Sequence, residues 1–313
     1  MARRIAVTGA NGFVGLHVVE AAQAAGWDVS AVVRSPASAA VVESAGATAH
    51  VLPTLEAGAL AGAFAGARAV AHLAQIGAEG PSSYEQVNVE GTRAVAAAAL
   101  RAGVRRIAFF SGLGVAHYGM ARRTTNRYFL SKLAAEAALF ASGLSVAVFR
   151  PSYVVGPGDG LSRALLRDLA ARVIERPGAG SYRMQPVAVS DGAAAILAAS
   201  ADEAAGERHR VYDLVGPEPV TFDGFVRRFA ARARARGLAA EYELRTIPVE
   251  EADRQARAGG YRGMHADELD CMLCDEVSDP RPLEGLLGRA LTPLDAAIDL
   301  AIGGAHEKLA ERV

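Results

Sequence analysis

Two features of the chain have residue types and spacings suited to chemistry. Tyr128 and Lys132 form Tyr-x-x-x-Lys, and on a helix that spacing puts a phenol and an ammonium on one face, one turn apart. A phenol with its ordinary pKa of ~10 is a poor base at neutral pH, so a neighbouring ammonium is what draws its proton exchange toward working pH. Of 33 basic residues only Lys132 and Lys308 are lysine. Keeping a lysine here, where the chain otherwise uses arginine, points to a task for a compact ammonium. The second feature is Thr8-Gly9-Ala10-Asn11-Gly12-Phe13-Val14-Gly15, directly after the strand-like run Arg4–Thr8. Glycines at 9, 12 and 15 permit a tight turn and a close approach of backbone to a pyrophosphate. The anion then meets the N–H groups and positive end of the helix that follows.

The end of the second strand selects between the two nicotinamide dinucleotides: a carboxylate there binds ribose hydroxyls, a cation accommodates a 2′-phosphate. Here the strand runs into Val33-Arg34-Ser35. The expected cofactor is NADP(H), with Arg34 at the adenosine phosphate and Ser35 hydrogen-bonded to it; NAD is the alternative.

Short apolar runs positioned to carry these residues lie at 4–8, 29–33, 48–52, 69–73, 105–111 and 145–150. Helix-forming stretches at 13–25, 37–45, 55–65, 84–102 and 124–142 separate them. That alternation predicts an α/β fold, a doubly wound parallel sheet, with ligands at the carboxyl ends of its strands. After Arg150 the rhythm breaks, although 187–189 and 211–214 read as strands able to rejoin the sheet. The expected division is a dinucleotide-binding domain at 1–155 plus 186–215 and a small discontinuous substrate lobe at 156–185 plus 216–313.

Composition narrows the function. With 33 basic and 34 acidic residues, a net charge of −1 and 51% apolar residues, the chain has no electrostatic footprint for nucleic acid or an anionic membrane. The arginine-rich run 230–236 reads as a solvated helical face. No segment reaches the roughly 20 apolar residues of a membrane span, and the opening residues lack a secretory leader's apolar core. Two cysteines rule out a disulfide framework, so a cytoplasmic protein acting on a small molecule is expected.

In order along the chain stand the glycine turn, His72-Leu73-Ala74-Gln75, Asn88-Val89-Glu90-Gly91-Thr92, Tyr128 with Lys132, Arg150-Pro151-Ser152-Tyr153, and Gln185 to Asp191. This set resembles the short-chain dehydrogenase/reductase superfamily in its extended and atypical branches, over residues 5–215. The tail, with Asp275-Glu276-Val277 and Leu291-Thr292-Pro293, is similar to the group around the nucleotide-binding accessory subunit of respiratory complex I. The resemblance implies a Rossmann fold, Tyr128 as catalytic acid/base, and Lys132 as its electrostatic partner and ribose ligand. It places Leu73 and Ala74 along the dinucleotide, and Pro151 with Ser152 beside the nicotinamide. It also implies a homodimer through the helices near 84–102 and 124–142. Where the family carries paired serines, this chain has Ser111-Gly112-Leu113-Gly114, so Ser111 is the one candidate for holding a substrate oxygen. Val51-Leu52-Pro53-Thr54 replaces the family's aspartate at the adenine.

His117, Tyr118 and Tyr153 are further candidates for the substrate. No metal site is expected: His72 has no ligand-spaced partner, and Cys271 and Cys274 read as core thiols. Asp191 is expected to cap a helix. The leading function is NADP-dependent hydride transfer at a carbonyl or secondary alcohol. The alternatives are an epimerase or dehydratase that retains NAD, and a catalytically silent dinucleotide-binding scaffold or redox sensor.

Overall fold

The computed structural model describes residues 3–117, 126–201, 209–261 and 264–310, with the backbone alone at 117 and 305–310. Strands and helices alternate as β1 (Arg3–Thr8), α1 (Phe13–Ala24), β2 (Trp27–Val33), α2 (Pro36–Ser44), β3 (Thr48–Val51), α3 (Ala57–Ala63), β4 (Ala69–His72), α4 (Gly91–Arg101), β5 (Arg106–Phe110), α5 (Arg127–Phe140) and β6 (Ser145–Pro151). The strand His209–Leu214 completes a seven-stranded sheet. From one edge the order is His209–Leu214, β6, β5, β4, β1, β2, β3, and every neighbouring pair is parallel. Central strands covered on both faces must be apolar throughout, and β4 is buried along its whole length. Leu60, Phe64, Val95, Ile107, Leu139 and Val146 fill one helix–sheet layer. The many alanines of α4 and α5 let these helices lie close to it.

From β1 the chain winds outward to β2 and β3, then returns to lay β4 on the other side of β1. The carboxyl ends of β1 and β4 thus flank the point where strand order reverses, the place where open α/β sheets bind ligands.

The chain forms two compact units. The first comprises residues 1–151, 190–214 and 281–289; the second comprises 152–189, 215–280 and 290–313. Leu165, Phe225, Phe229, Tyr261 and Ile298 belong to the second unit's own core. Two expectations are corrected. The run at 187–189 does not rejoin the central sheet: Val187–Ala188 pairs with Val154–Val155 as a separate two-residue ribbon, because the helix Val189–Ala201 starts at once. Asp191 stands inside that helix's first turn and not at the position before it, and its buried carboxylate accepts Nη2 of Arg289 at 2.7 Å. Among the described residues no helix is long and apolar enough to cross a membrane.

Candidate active site

At the switch point the glycines explain themselves by what a side chain would strike. Gly9 has φ +68°, and a Cβ on it would lie 2.7 Å from the Ala74 amide nitrogen. On Gly15 a Cβ would lie 2.1 Å from the Gly9 carbonyl oxygen. The first absence closes the end of β1 onto Leu73–Ala74, and the second seats α1 on the turn. Phe13 and Val14 open α1 behind Gly12, with no side chain capping the first turn, an arrangement that presents helix-start amides to an anion. Beside it runs a cleft of about 760 Å³ whose walls include Gly9, Asn11, Arg34, Leu52, Ala74 and Gln75. A cradle that any Cβ would fill, beside a cleft of this size, fits a dinucleotide.

Beneath the cleft the β1 and β4 ends are tied by a directional hydrogen-bond chain. Thr92 donates its hydroxyl to the Asn88 carbonyl at 2.6 Å, so it can only accept from His72 Nε2, 2.9 Å away. That fixes the Nε2–H tautomer, leaving Nδ1 to accept from the Thr8 hydroxyl at 2.8 Å. The Thr8 oxygen in turn accepts from the Leu73 and Ala74 amides, each at 3.3 Å. Burial, and then the charge of Lys132, press the His72 pKa down to about 3. His72 is therefore a neutral strut between two threonines.

α5 carries Tyr128 and Lys132 together. It is capped by Asn126, whose side chain accepts the Phe129 amide at 3.1 Å. Asn88 secures the helix from the side: its amide group donates to Ser131 Oγ at 3.0 Å, and Ser131 donates to the Tyr128 carbonyl at 2.7 Å. The same Asn88 exchanges two hydrogen bonds with the Ile76 backbone, pinning the loop after β4. Asn88 lies in a π-helical turn, Glu85–Glu90, running straight into α4, an irregularity that recurs at functional sites. The Lys132 ammonium is 1% exposed. It donates to Gln75 Oε1 and, at 2.7 Å, to the Phe110 carbonyl. It lies 6.0 Å from the centre of the Tyr128 ring and 4.6 Å from that of Phe109. Burial draws its pKa down to about 7 against the opposing charge of Glu136.

Ser111, at the end of β5, is buried and donates its hydroxyl to Glu136 Oε1 at 2.5 Å. Arg34 is exposed at the cleft wall and, among the described residues, has no hydrogen-bond or ion-pair partner. Ser35 caps α2 by accepting the Ser38 amide at 3.2 Å, and Asn11 donates to Ser38 Oγ at 3.1 Å. Pro151 ends β6, and the division between units falls immediately after it. Ser152 belongs to the second unit, donating to the Glu276 carbonyl at 3.0 Å and accepting the Gln185 amide at 3.2 Å. Tyr153 packs against the second unit's core. Of His117 only the backbone is described, at the end of the 3-10 turn Leu113–His117, and Tyr118 lies outside the described residues. Cys271 donates to the Asp267 carbonyl.

Sequence reasoning did not single out Glu136, Arg150 or Gln75 as site residues. One available signal was spacing: Tyr128, Lys132 and Glu136 recur every four residues.

A doubly wound parallel sheet with a glycine cradle at its switch point defines a dinucleotide-binding α/β protein. The model of the NAD dependent epimerase/dehydratase family matches residues 5–216, and the chain belongs to that family. It is 30% identical over 254 residues to a ceramide reductase of Caulobacter vibrioides, covering 78% of this chain and 73% of that one. It is 33% identical over 182 residues to cinnamoyl-CoA reductase 1 of Oryza sativa subsp. japonica, covering 49% of this chain; the match spans 54% of the rice protein's length. Among solved structures, MoeE5 in complex with UDP-glucuronic acid and NAD superposes with a TM-score of 0.72 at 23% identity, covering 97% and 99% of the two chains. A UDP-N-acetylglucosamine 4-epimerase from Bacillus cereus superposes with a TM-score of 0.70 at 15% identity, covering 99% and 97%. At these identities the superpositions establish the fold.

Proposed function

We propose that this protein is an NADP(H)-dependent oxidoreductase that interconverts a carbonyl and a secondary alcohol in a small molecule. The carrying observation is the Lys132 ammonium, buried beneath Tyr128 and anchored by Gln75 and the Phe110 carbonyl. When bound, the dinucleotide supplies or accepts the hydride. Tyr128 gives or takes the proton at the substrate oxygen, and the charge of Lys132 lowers the cost of the phenolate left behind. Gln75 and the Phe110 carbonyl aim the ammonium, while Asn88 and Ser131 hold the helix that bears both groups. Ser111, whose hydroxyl goes to Glu136, is not assigned the substrate oxygen.

Glycines 9, 12 and 15, with the amides of Phe13 and Val14, take the pyrophosphate; Leu73 and Ala74 run along the dinucleotide, and Pro151 and Ser152 face the nicotinamide. Arg34, with Ser35 and Asn11 beside it, takes the 2′-phosphate, and its lack of a partner among the described residues supports this. The names of both curated relatives, a cinnamoyl-CoA reductase and a ceramide reductase, favour reduction. Two copies pair through α4 and α5 in the same reading.

The second reading, an epimerase or dehydratase that keeps NAD bound, is favoured by the family match and by the NAD in the MoeE5 complex. Native mass spectrometry of the fresh protein, before and after adding NADPH or NADH, separates the two. Readily exchanging NADP(H) is the expected result. Tightly retained NAD overturns the Arg34 assignment and puts the second reading first.

A further inference from the structure

Glu136 stands four residues beyond Lys132 on the same face of α5. Its carboxylate is 1% exposed, a burial that carboxylates take only with partners. Oε1 accepts the Ser111 hydroxyl at 2.5 Å and Nε of Arg150 at 3.1 Å, and Oε2 accepts Arg150 Nη2 at 2.6 Å. One side chain thus gathers the end of β5, the end of β6 and the catalytic helix. A fork of this kind would hold a helix to a sheet anywhere along α5. Its place beside a buried ammonium calls for more.

The groups around that ammonium come from every neighbouring element. β4 brings His72, kept neutral by burial and by the Lys132 charge, and Gln75 follows it; both are uncharged. β5 brings the Phe110 carbonyl and Ser111. β6 brings Arg150, which Asp213 of the edge strand also attracts. α5 brings Tyr128 and Glu136. Among the described residues, Glu136 is the carboxylate whose charge acts on Lys132.

We propose that Glu136 is a positioning residue for the reaction: it binds Ser111 and Arg150, locks α5 against the ends of β5 and β6, and keeps Lys132 in its ammonium form. The proposal rests on the Tyr128–Lys132 reading above. It gives Ser111 a task inside the protein, since its hydroxyl proton is committed to the carboxylate.

The scarcity of lysine supplies a direct test. The chain has two, so 13C-labelling at lysine Cε yields two resonances, and that of Lys132 is the one absent from Lys132→Met. In the whole protein without added dinucleotide, the Lys132 resonance should titrate at about 7. Glu136→Gln should move that midpoint down by about one pH unit, and Glu136→Asp, which keeps the charge, should titrate close to wild type. With turnover, the alkaline limb of kcat/KM should move down in parallel, since Lys132 then loses its proton at lower pH. Equal midpoints in wild type and Glu136→Gln overturn the proposal. If Glu136→Gln folds poorly because Arg150 is left unpaired, Glu136→Gln combined with Arg150→Met removes both charges. Compared with Arg150→Met alone, which lacks the same cation, the double variant must titrate lower, and equal midpoints in those two are equally fatal. The resonance does not depend on turnover, so a failure here is distinguishable from a failure of the proposed reaction, which Tyr128→Phe reads.

Discussion

Two cations of the first unit, Arg34 at the cleft wall and Lys132 on α5, are held in opposite ways. Arg34, after β2, stands in solvent with no partner among the described residues. Lys132 is buried, fastened by two acceptors and faced by Glu136, with its pKa drawn down to about 7. An exposed guanidinium costs the fold almost nothing and keeps its charge at any working pH, which suits recognition of a phosphate that comes and goes. A buried ammonium costs the fold desolvation energy and gains a charge that responds to pH, which suits proton chemistry. Affinity should therefore depend on the first and rate on the second.

The largest break in that contrast should come from Lys132→Met. Turnover should fall about a thousandfold while NADPH affinity, read by fluorescence titration, changes far less. Arg34→Glu should do the reverse, weakening NADPH about a hundredfold by removing a charge-assisted contact and adding repulsion. NADH binding and its turnover should move little, and equal losses for both dinucleotides would erase the distinction between the two sites.

A smaller effect sharpens the contrast through stability. Folded Lys132 releases its proton near pH 7, whereas the unfolded chain holds it to about 10.5. Within that window the unfolded state binds more protons, so stability rises with pH. Urea unfolding between pH 7 and 9 should show a gain of roughly 2 kcal/mol from this group, and the gain should vanish in Lys132→Met; Arg34→Met should keep it. The smallest effect is expected at Ser111→Ala. Losing one hydrogen bond to Glu136 should lower stability by about 1 to 2 kcal/mol and turnover by about fivefold. A loss as large as that of Lys132→Met would instead make Ser111 the holder of the substrate oxygen.

Much of this was legible in the sequence because it is local. The glycine turn, the strand–helix alternation through β6 and the Tyr128–Lys132 spacing each depend on residues a few positions apart. What escaped depends on long-range partners. Glu136 meets Ser111 and Arg150 only once β5 and β6 are side by side. Asn88 reaches Ile76 and Ser131 through a π-helical turn that its composition does not announce. The run at 187–189 has strand-forming residues, yet their partner is a two-residue strand at 154–155. The Arg281–Arg289 segment returns to the first unit, where Arg289 meets a carboxylate nearly a hundred positions earlier.

In the proposed reaction Tyr128 exchanges the proton at the substrate oxygen without holding the dinucleotide. Tyr128→Phe, measured in parallel for NADPH dissociation constant and for turnover of a reducible carbonyl, tests it most directly. The expected result is an unchanged dissociation constant with turnover lowered about a thousandfold. A phenylalanine variant that turns over like the wild type would contradict it.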